Sequence, residues 1–215
     1  MRRTEVITGL FEEYDAFAAL LASLTGEEWR TPTRCAGWQV RHVAGHVVGT
    51  AVDTMTGRIG TRTPDEQARA FHDETPAALA GRLREAAARL RPFFEGLGED
   101  DWAAPSPVAG RTIGNGILTL WYDTFVHADD VRTALGRDSA RGPGLRGSLH
   151  WVGDELERLG WGPARLALDG LDERSIGTGG PVLRGDPMRF LLVATGRADP
   201  GEFGLDASVN VHSLR

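Results

Sequence analysis

Residues 112–136, TIGNGILTLWYDTFVHADDVRTALG, form the stretch on which the architecture turns. It is long enough for about seven helical turns, and Gly136 suits a left-handed stop. Asp123 and His127 are four residues apart, so their side chains lie one turn apart on a single helix face. Gly116, Thr119, Leu120, Asp130 and Ala134 share that face. Such a mixture of small, apolar and acidic groups fits the wall of a cavity better than a solvated surface.

Three more helices precede this one. Ile7, Leu10, Tyr14, Phe17, Leu21 and Leu24 follow each other at intervals of three and four, which predicts an apolar helical stripe over 4–24. Val40, Val43, Val47 and Ala51 predict a second helix over 39–55. A polar stretch, 57–74, follows and is expected to be a long crossover. Thr75-Pro76 then offers an N-cap and first-turn proline for a third helix, with Leu79, Leu83, Ala86, Leu90, Phe93 and Leu97 on its apolar face.

The loops before helices two and four resemble each other. Trp29 and Trp102 are each followed by a proline three residues on, Pro32 and Pro105, and by a glycine eight residues on, Gly37 and Gly110. The pattern suggests a duplicated helical hairpin, and two hairpins make a four-helix bundle over residues 1–137. Beyond Gly136 a Gly- and Arg-rich linker leads to a small α/β domain over 148–215. Its expected parts are a helix at 148–159, a strand at 165–168, a Gly-rich turn region at 177–185, a helix from Asp186-Pro187 to Gly196, and a last strand in SVNVH, 208–212.

Composition excludes several functions. The net charge is −6 over 215 residues, and all 24 basic residues are arginines scattered among 30 acids, so no basic face is available for a nucleic-acid backbone. Glu5, Glu12 and Glu13 interrupt the N-terminus before any run long enough for a signal peptide, and no segment approaches eighteen consecutive apolar residues. A cytoplasmic protein without membrane segments is expected. Cys35 is the sole cysteine, which rules out an internal disulfide and any site built on several thiolates. GTGGPVLRG, 177–185, lacks the lysine of a phosphate-binding loop, and the Gly-x-Ser-x-Gly nucleophile pattern is absent.

His46 is the natural third member of a site with Asp123 and His127, because it sits among Val43, Ala44, Val47 and Val48. Two histidines and one carboxylate with positions left open suit a catalytic divalent ion. The competing reading is plain: a lone histidine in an apolar helix is usually a core residue, and an Asp/His pair four apart is commonly a surface pair. His42 can replace or assist His46, and Asp130 either orients the His127 ring or is a solvated acid at a helix end. Cys35 reads as a small buried loop residue, and Trp38 and Trp121 as core or cavity wall. His72, His150 and His212 receive no role.

The chain resembles a known family at these residues. EEWRTPTRCAGWQVRHVAGHVVG, 27–49, is similar to the Trp, Pro-Thr-x-Cys-x-Gly-Trp and helix motif of the mycothiol-dependent maleylpyruvate isomerase-like proteins, members of the DinB-like bundle superfamily. YDTFVHADDVRTALG, 122–136, resembles their second motif, a carboxylate and a histidine four apart followed by Asp-x-Arg and Ala-Leu-Gly. Asp123 stands where that family has glutamate, and His42 where it often has an acid. LRGDPMRFLLVATGR, 183–197, resembles the family's Gly-Asp helix ending in Gly-Arg.

The resemblance implies a mainly α protein, a DinB-like four-helix bundle followed by a small α/β domain. It implies a divalent metal, zinc first with nickel, manganese or iron as alternatives, held by His46, Asp123 and His127. It also implies a mycothiol-like thiol as cosubstrate and a catalytic Arg197 paired with a small carboxylate-bearing electrophile; read from the residues alone, Arg197 is equally an arginine at a helix end that complements the dipole and has no further role. The expected activity is that of an isomerase or S-transferase in which the ion holds the thiol as thiolate. A thiol-independent metal hydrolase and a non-catalytic metal-binding module are the alternatives.

Overall fold

The structure is a computed structural model that describes residues 1–213. The chain divides into two compact units, the first spanning Met1–Ala140 and the second beginning at Arg141. The first contains α1 (Arg3–Ala22), α2 (Val40–Met55), α3 (Pro64–Ala70), α4 (Pro76–Glu95), α5 (Glu99–Ala103) and α6 (Ile113–Ala134). Helix starts follow from local chemistry. Thr63, Thr75 and Thr112 accept the backbone N–H of Glu66, Ala78 and Asn115, and proline opens α3 and α4.

The four long helices make the bundle, and their arrangement corrects the hairpin expectation. Among the long helices, α1 and α2 each pack against α4 and α6, so helices adjacent in sequence within each half lie diagonally. An apolar stripe says which face a helix buries and not which partner it meets. Leu10 and Phe17 of α1, Val47 of α2, Leu83 of α4 and Phe125 of α6 are all buried. The stripe on α4 runs through Phe94 rather than Phe93, whose ring is 63% exposed. The resemblance between the two loops is structural: Pro32 bridges Gln39 as Pro105 bridges Thr112, and Gly37 and Gly110 both take positive φ, 78° and 75°.

Two segments expected to lack structure contain helices. The polar 57–74 stretch holds α3, and the loop before α6 holds α5. Short helices with little apolar periodicity escape a search by stripe. Among the described residues no helix is long and apolar enough to cross a membrane.

The second unit contains α7 (Pro143–Arg158), β1 (Ala164–Leu168), β2 (Arg174–Ile176), β3 (Val182–Gly185) and α8 (Pro187–Ala194). β1 is central, antiparallel to β2 and parallel to β3. α7 begins five residues before the expected 148, because Gly142 (φ 97°) turns the chain and Pro143 fills the first helical position. Part of the Gly-rich region forms β3, and β2 was not foreseen. No strand forms at 208–212: Ala207–Val209 is a 3₁₀ turn capped by Asp206. Its alternating Val209 and Val211 are both buried, which mimics a strand pattern.

Candidate metal centre

The packing of α2 against α6 brings His46 to Asp123 and His127. One ligand atom from each lies within 4.8 Å of the other two. His46 Nε2 is 3.2 Å from Asp123 Oδ2, and His127 Nε2 is 3.5 Å from Asp123 Oδ1. The imidazoles meet edge to face with centroids 5.0 Å apart, so both Nε2 atoms converge on one carboxylate.

Their Nδ1 atoms point away and are engaged. His127 Nδ1 lies 2.8 Å from Asp130 Oδ2, and His46 Nδ1 lies 2.8 Å from Gln67 Oε1. Asp130 is fully buried rather than a solvated helix-end acid. A carboxylate only accepts, so His127 Nδ1 carries the hydrogen and a neutral ring offers its lone pair at Nε2. A lone pair facing a carboxylate oxygen is stable only with a cation, a proton or a metal ion, between them. Burial pulls the His46 pKa down, but the charge and hydrogen bond of Asp123, with Gln67, more than offset this and leave it raised. These donors fit a divalent ion: two imidazole Nε2 atoms and a carboxylate, each imidazole oriented from behind.

The loop 31–39 closes the site from one side. Arg34 Nε and Nη2 each lie 2.5 Å from a carboxylate oxygen of Asp130 and Asp129, which latches the loop onto α6. Cys35 is half-buried, and its Sγ donates to Asp130 Oδ2 at 3.1 Å. Trp38 packs on both imidazoles, with centroids 5.5 Å from His46 and 6.2 Å from His127. Its indole N–H donates to Asp65 of α3 at 2.9 Å. Trp38 is therefore wall, whereas Trp121 is core, pressed on Gly9. Cys35, His127 and Asp130 also lie close enough to share an ion. The Arg34 guanidinium already balances Asp130, so a second cation there is opposed.

Other residues singled out in the sequence lie elsewhere. His42 Nδ1 accepts the Gln39 N–H at the start of α2, and its ring stacks on His72 with centroids 5.7 Å apart. It caps a helix and is not among the grouped ligands. Arg197 follows α8 in the second unit, where its Nη1 donates to the Thr195 carbonyl at 3.3 Å. Gln67 and Asp65, which sequence reasoning missed, both come from α3; the Thr63-Pro64…Glu66 capping signature was the signal for that helix.

Two histidines and a carboxylate facing one another across a four-helix bundle define a class of bundle proteins with a metal-type His/Asp/His centre. The chain belongs to the family of the mycothiol maleylpyruvate isomerase N-terminal domain, whose model matches residues 10–132. Two uncharacterized proteins of Mycobacterium tuberculosis, from strains CDC 1551 / Oshkosh and ATCC 25618 / H37Rv, are each 30% identical over 132 residues, 61% of this chain and 68% of theirs. The fold is similar to the crystal structure of the mycothiol-dependent maleylpyruvate isomerase, with a TM-score of 0.68 and 20% identity over 92% of this chain and 90% of that one. A histidine-to-alanine mutant of that enzyme matches with a TM-score of 0.67 at the same identity and coverage.

Proposed function

We propose that this protein is a metal-dependent, thiol-dependent enzyme of the isomerase or S-transferase type, acting on a small carboxylate-bearing electrophile. The observation that carries the reading is the convergence of His46 Nε2 and His127 Nε2 on the Asp123 carboxylate, with both Nδ1 atoms engaged behind. His46, Asp123 and His127 would hold the ion, zinc first among the candidates, with nickel, manganese and iron also suited to these donors. When bound, such an ion lowers the pKa of a coordinated thiol and so supplies a nucleophile at neutral pH.

The chain's own groups complete the arrangement. Asp130 orients His127, and Trp38 walls the two imidazoles on one side and limits water there. No protein thiol is needed as nucleophile, since Cys35 is committed to Asp130. In the isomerase case a thiolate adds to an electron-poor carbon of a cis double bond. The bond, now single, rotates, and expulsion of the thiolate restores a trans double bond. In the transferase case the adduct takes up a proton and leaves.

Elemental analysis of protein purified without added metal tests the first half, with about one divalent ion per chain expected and its loss in His46→Ala and His127→Ala. Assay of small cis-unsaturated acids with and without a low-molecular-weight thiol tests the second. Turnover only with thiol supports the proposal; absence of metal, or turnover that ignores thiol, overturns it.

A further inference from the structure

We infer that Asp53, acting through Gln67, fixes which ring nitrogen of His46 carries hydrogen and thereby aims the Nε2 lone pair at the Asp123 carboxylate. The consequence for metal binding rests on the proposed function; the placement of the hydrogen does not.

His46 and Asp53 are seven residues apart on α2, two turns along one face. Gln67 reaches between them from α3, which can approach because α2 carries Gly45 and Gly49 there. A Cβ at Gly45 would lie 2.9 Å from the Ala68 carbonyl oxygen, and one at Gly49 would lie 2.8 Å from Gln67 Cβ. The three polar side chains are buried together, Asp53 completely.

The direction of the relay follows from what each group can donate. Asp53 is gripped by Arg62, whose Nε and Nη2 lie 2.9 and 2.7 Å from its two oxygens, with Arg58 Nη2 at 3.7 Å. With a guanidinium donating to both of its oxygens, the carboxylate presents only acceptors to its other neighbours. Gln67 must therefore turn its amide nitrogen to Asp53, and Nε2 lies 2.9 Å from Oδ2. That commitment leaves Oε1, an acceptor, 2.8 Å from His46 Nδ1. Nδ1 must then be the N–H, and in a neutral ring Nε2 is the unprotonated nitrogen.

Thr50 does not decide the matter. Its hydroxyl lies 3.0 Å from the His46 carbonyl oxygen and 3.1 Å from Gln67 Oε1, and its one hydrogen can go to either. The bond to a buried carboxylate is charge-assisted, roughly twice as strong as a neutral one, and orients the amide. His127 obtains the same tautomer directly from Asp130, so α2 uses an amide relay where α6 uses a carboxylate.

Long-range 15N NMR of the His46 ring in metal-free Asp123→Ala protein, at a pH where the ring is neutral, reads the hydrogen directly, because no carboxylate then competes for a hydrogen on Nε2. This parent should show the Nδ1–H form alone. Adding Gln67→Glu, which keeps an acceptor at this position, should preserve it; adding Gln67→Leu or Asp53→Asn should give a mixture with the Nε2–H form. With Asp123 restored, cobalt(II) titration should show about ten- to a hundredfold weaker binding in Gln67→Leu and Asp53→Asn. An Nε2–H form in the parent, or Gln67→Leu and Asp53→Asn proteins with unchanged tautomer and affinity, overturns the inference. A wild type that binds no cobalt, beside a parent that shows the expected tautomer series, upholds the relay and refutes the metal proposal instead.

Discussion

The Oδ2 atom of Asp130 lies 2.8 Å from Nδ1 of His127, on the edge of the ring opposite Asp123. The same carboxylate receives Arg34 and Cys35, so one buried acid both orients an imidazole and fastens the 31–39 loop. Asp130→Ala should cost about 1–3 kcal/mol, because His127 Nδ1, Cys35 Sγ and Arg34 Nε lose their acceptor while Arg34 keeps Asp129. Urea denaturation of the metal-free protein measures this. The variant should also bind cobalt(II) about ten- to a hundredfold more weakly. Unchanged affinity at reduced stability would reduce Asp130 to a loop anchor.

Gly49 and Gly81 should respond to alanine with opposite signs. A Cβ at Gly49 would press on Gln67 Cβ at 2.8 Å, and α3 must shift to admit it. Overpacking of this kind costs about 1–3 kcal/mol. Gly81 lies in the exposed interior of α4 with nothing within 4 Å of the added atom. Relief of glycine's conformational freedom there should stabilise by about 0.5–1 kcal/mol. Melting temperatures of the two variants decide the point, and equal shifts would contradict the proposed close approach of α3.

The grouping of the candidate centre was legible because its three residues sit on long periodic helices. Asp123 and His127 declared themselves by i,i+4 spacing, and His46 by its apolar neighbours. The groups behind them were harder to see. Asp130 looked like a solvated acid because burial of a charge depends on Arg34, 96 residues away, and no periodicity records that partner. Gln67 sits on a seven-residue helix whose sequence reads as polar linker, and its role appears only once Gly45 and Gly49 let α3 close on α2. The diagonal placement of α1 and α2 was equally hidden, since a stripe on each helix is satisfied by any apolar neighbour.

Glu13 should make stability depend on pH. Burial pushes its carboxyl up from 4.5 to about 7, against the opposing pull of Arg132 and Trp121. Between these values the folded chain retains a proton that the unfolded chain has released. Stability therefore falls as pH rises through this window, and the loss is complete above about pH 7. Glu13→Gln should match the wild type at pH 4 and exceed it at pH 8 by up to about 3 kcal/mol. Denaturation at both pH values checks the sign, and a difference that does not change with pH would show that Glu13 keeps an ordinary pKa.

Asp123 faces His46 with one oxygen and His127 with the other, at 3.2 and 3.5 Å, and a quarter of its side chain is exposed. It is the one anionic group among the three proposed ligands, so its removal takes away both a donor and the charge that would offset a divalent ion. Asp123→Ala should weaken cobalt(II) binding beyond the roughly hundredfold that loss of an outer partner can cost. Asp123→Glu adds one methylene, and the exposed quarter gives the longer chain room to fold back toward the imidazoles. Binding should survive within about tenfold, with a changed cobalt absorption spectrum because the carboxylate meets the ion from a new position. Wild-type affinity in Asp123→Ala would place the ion elsewhere in the protein.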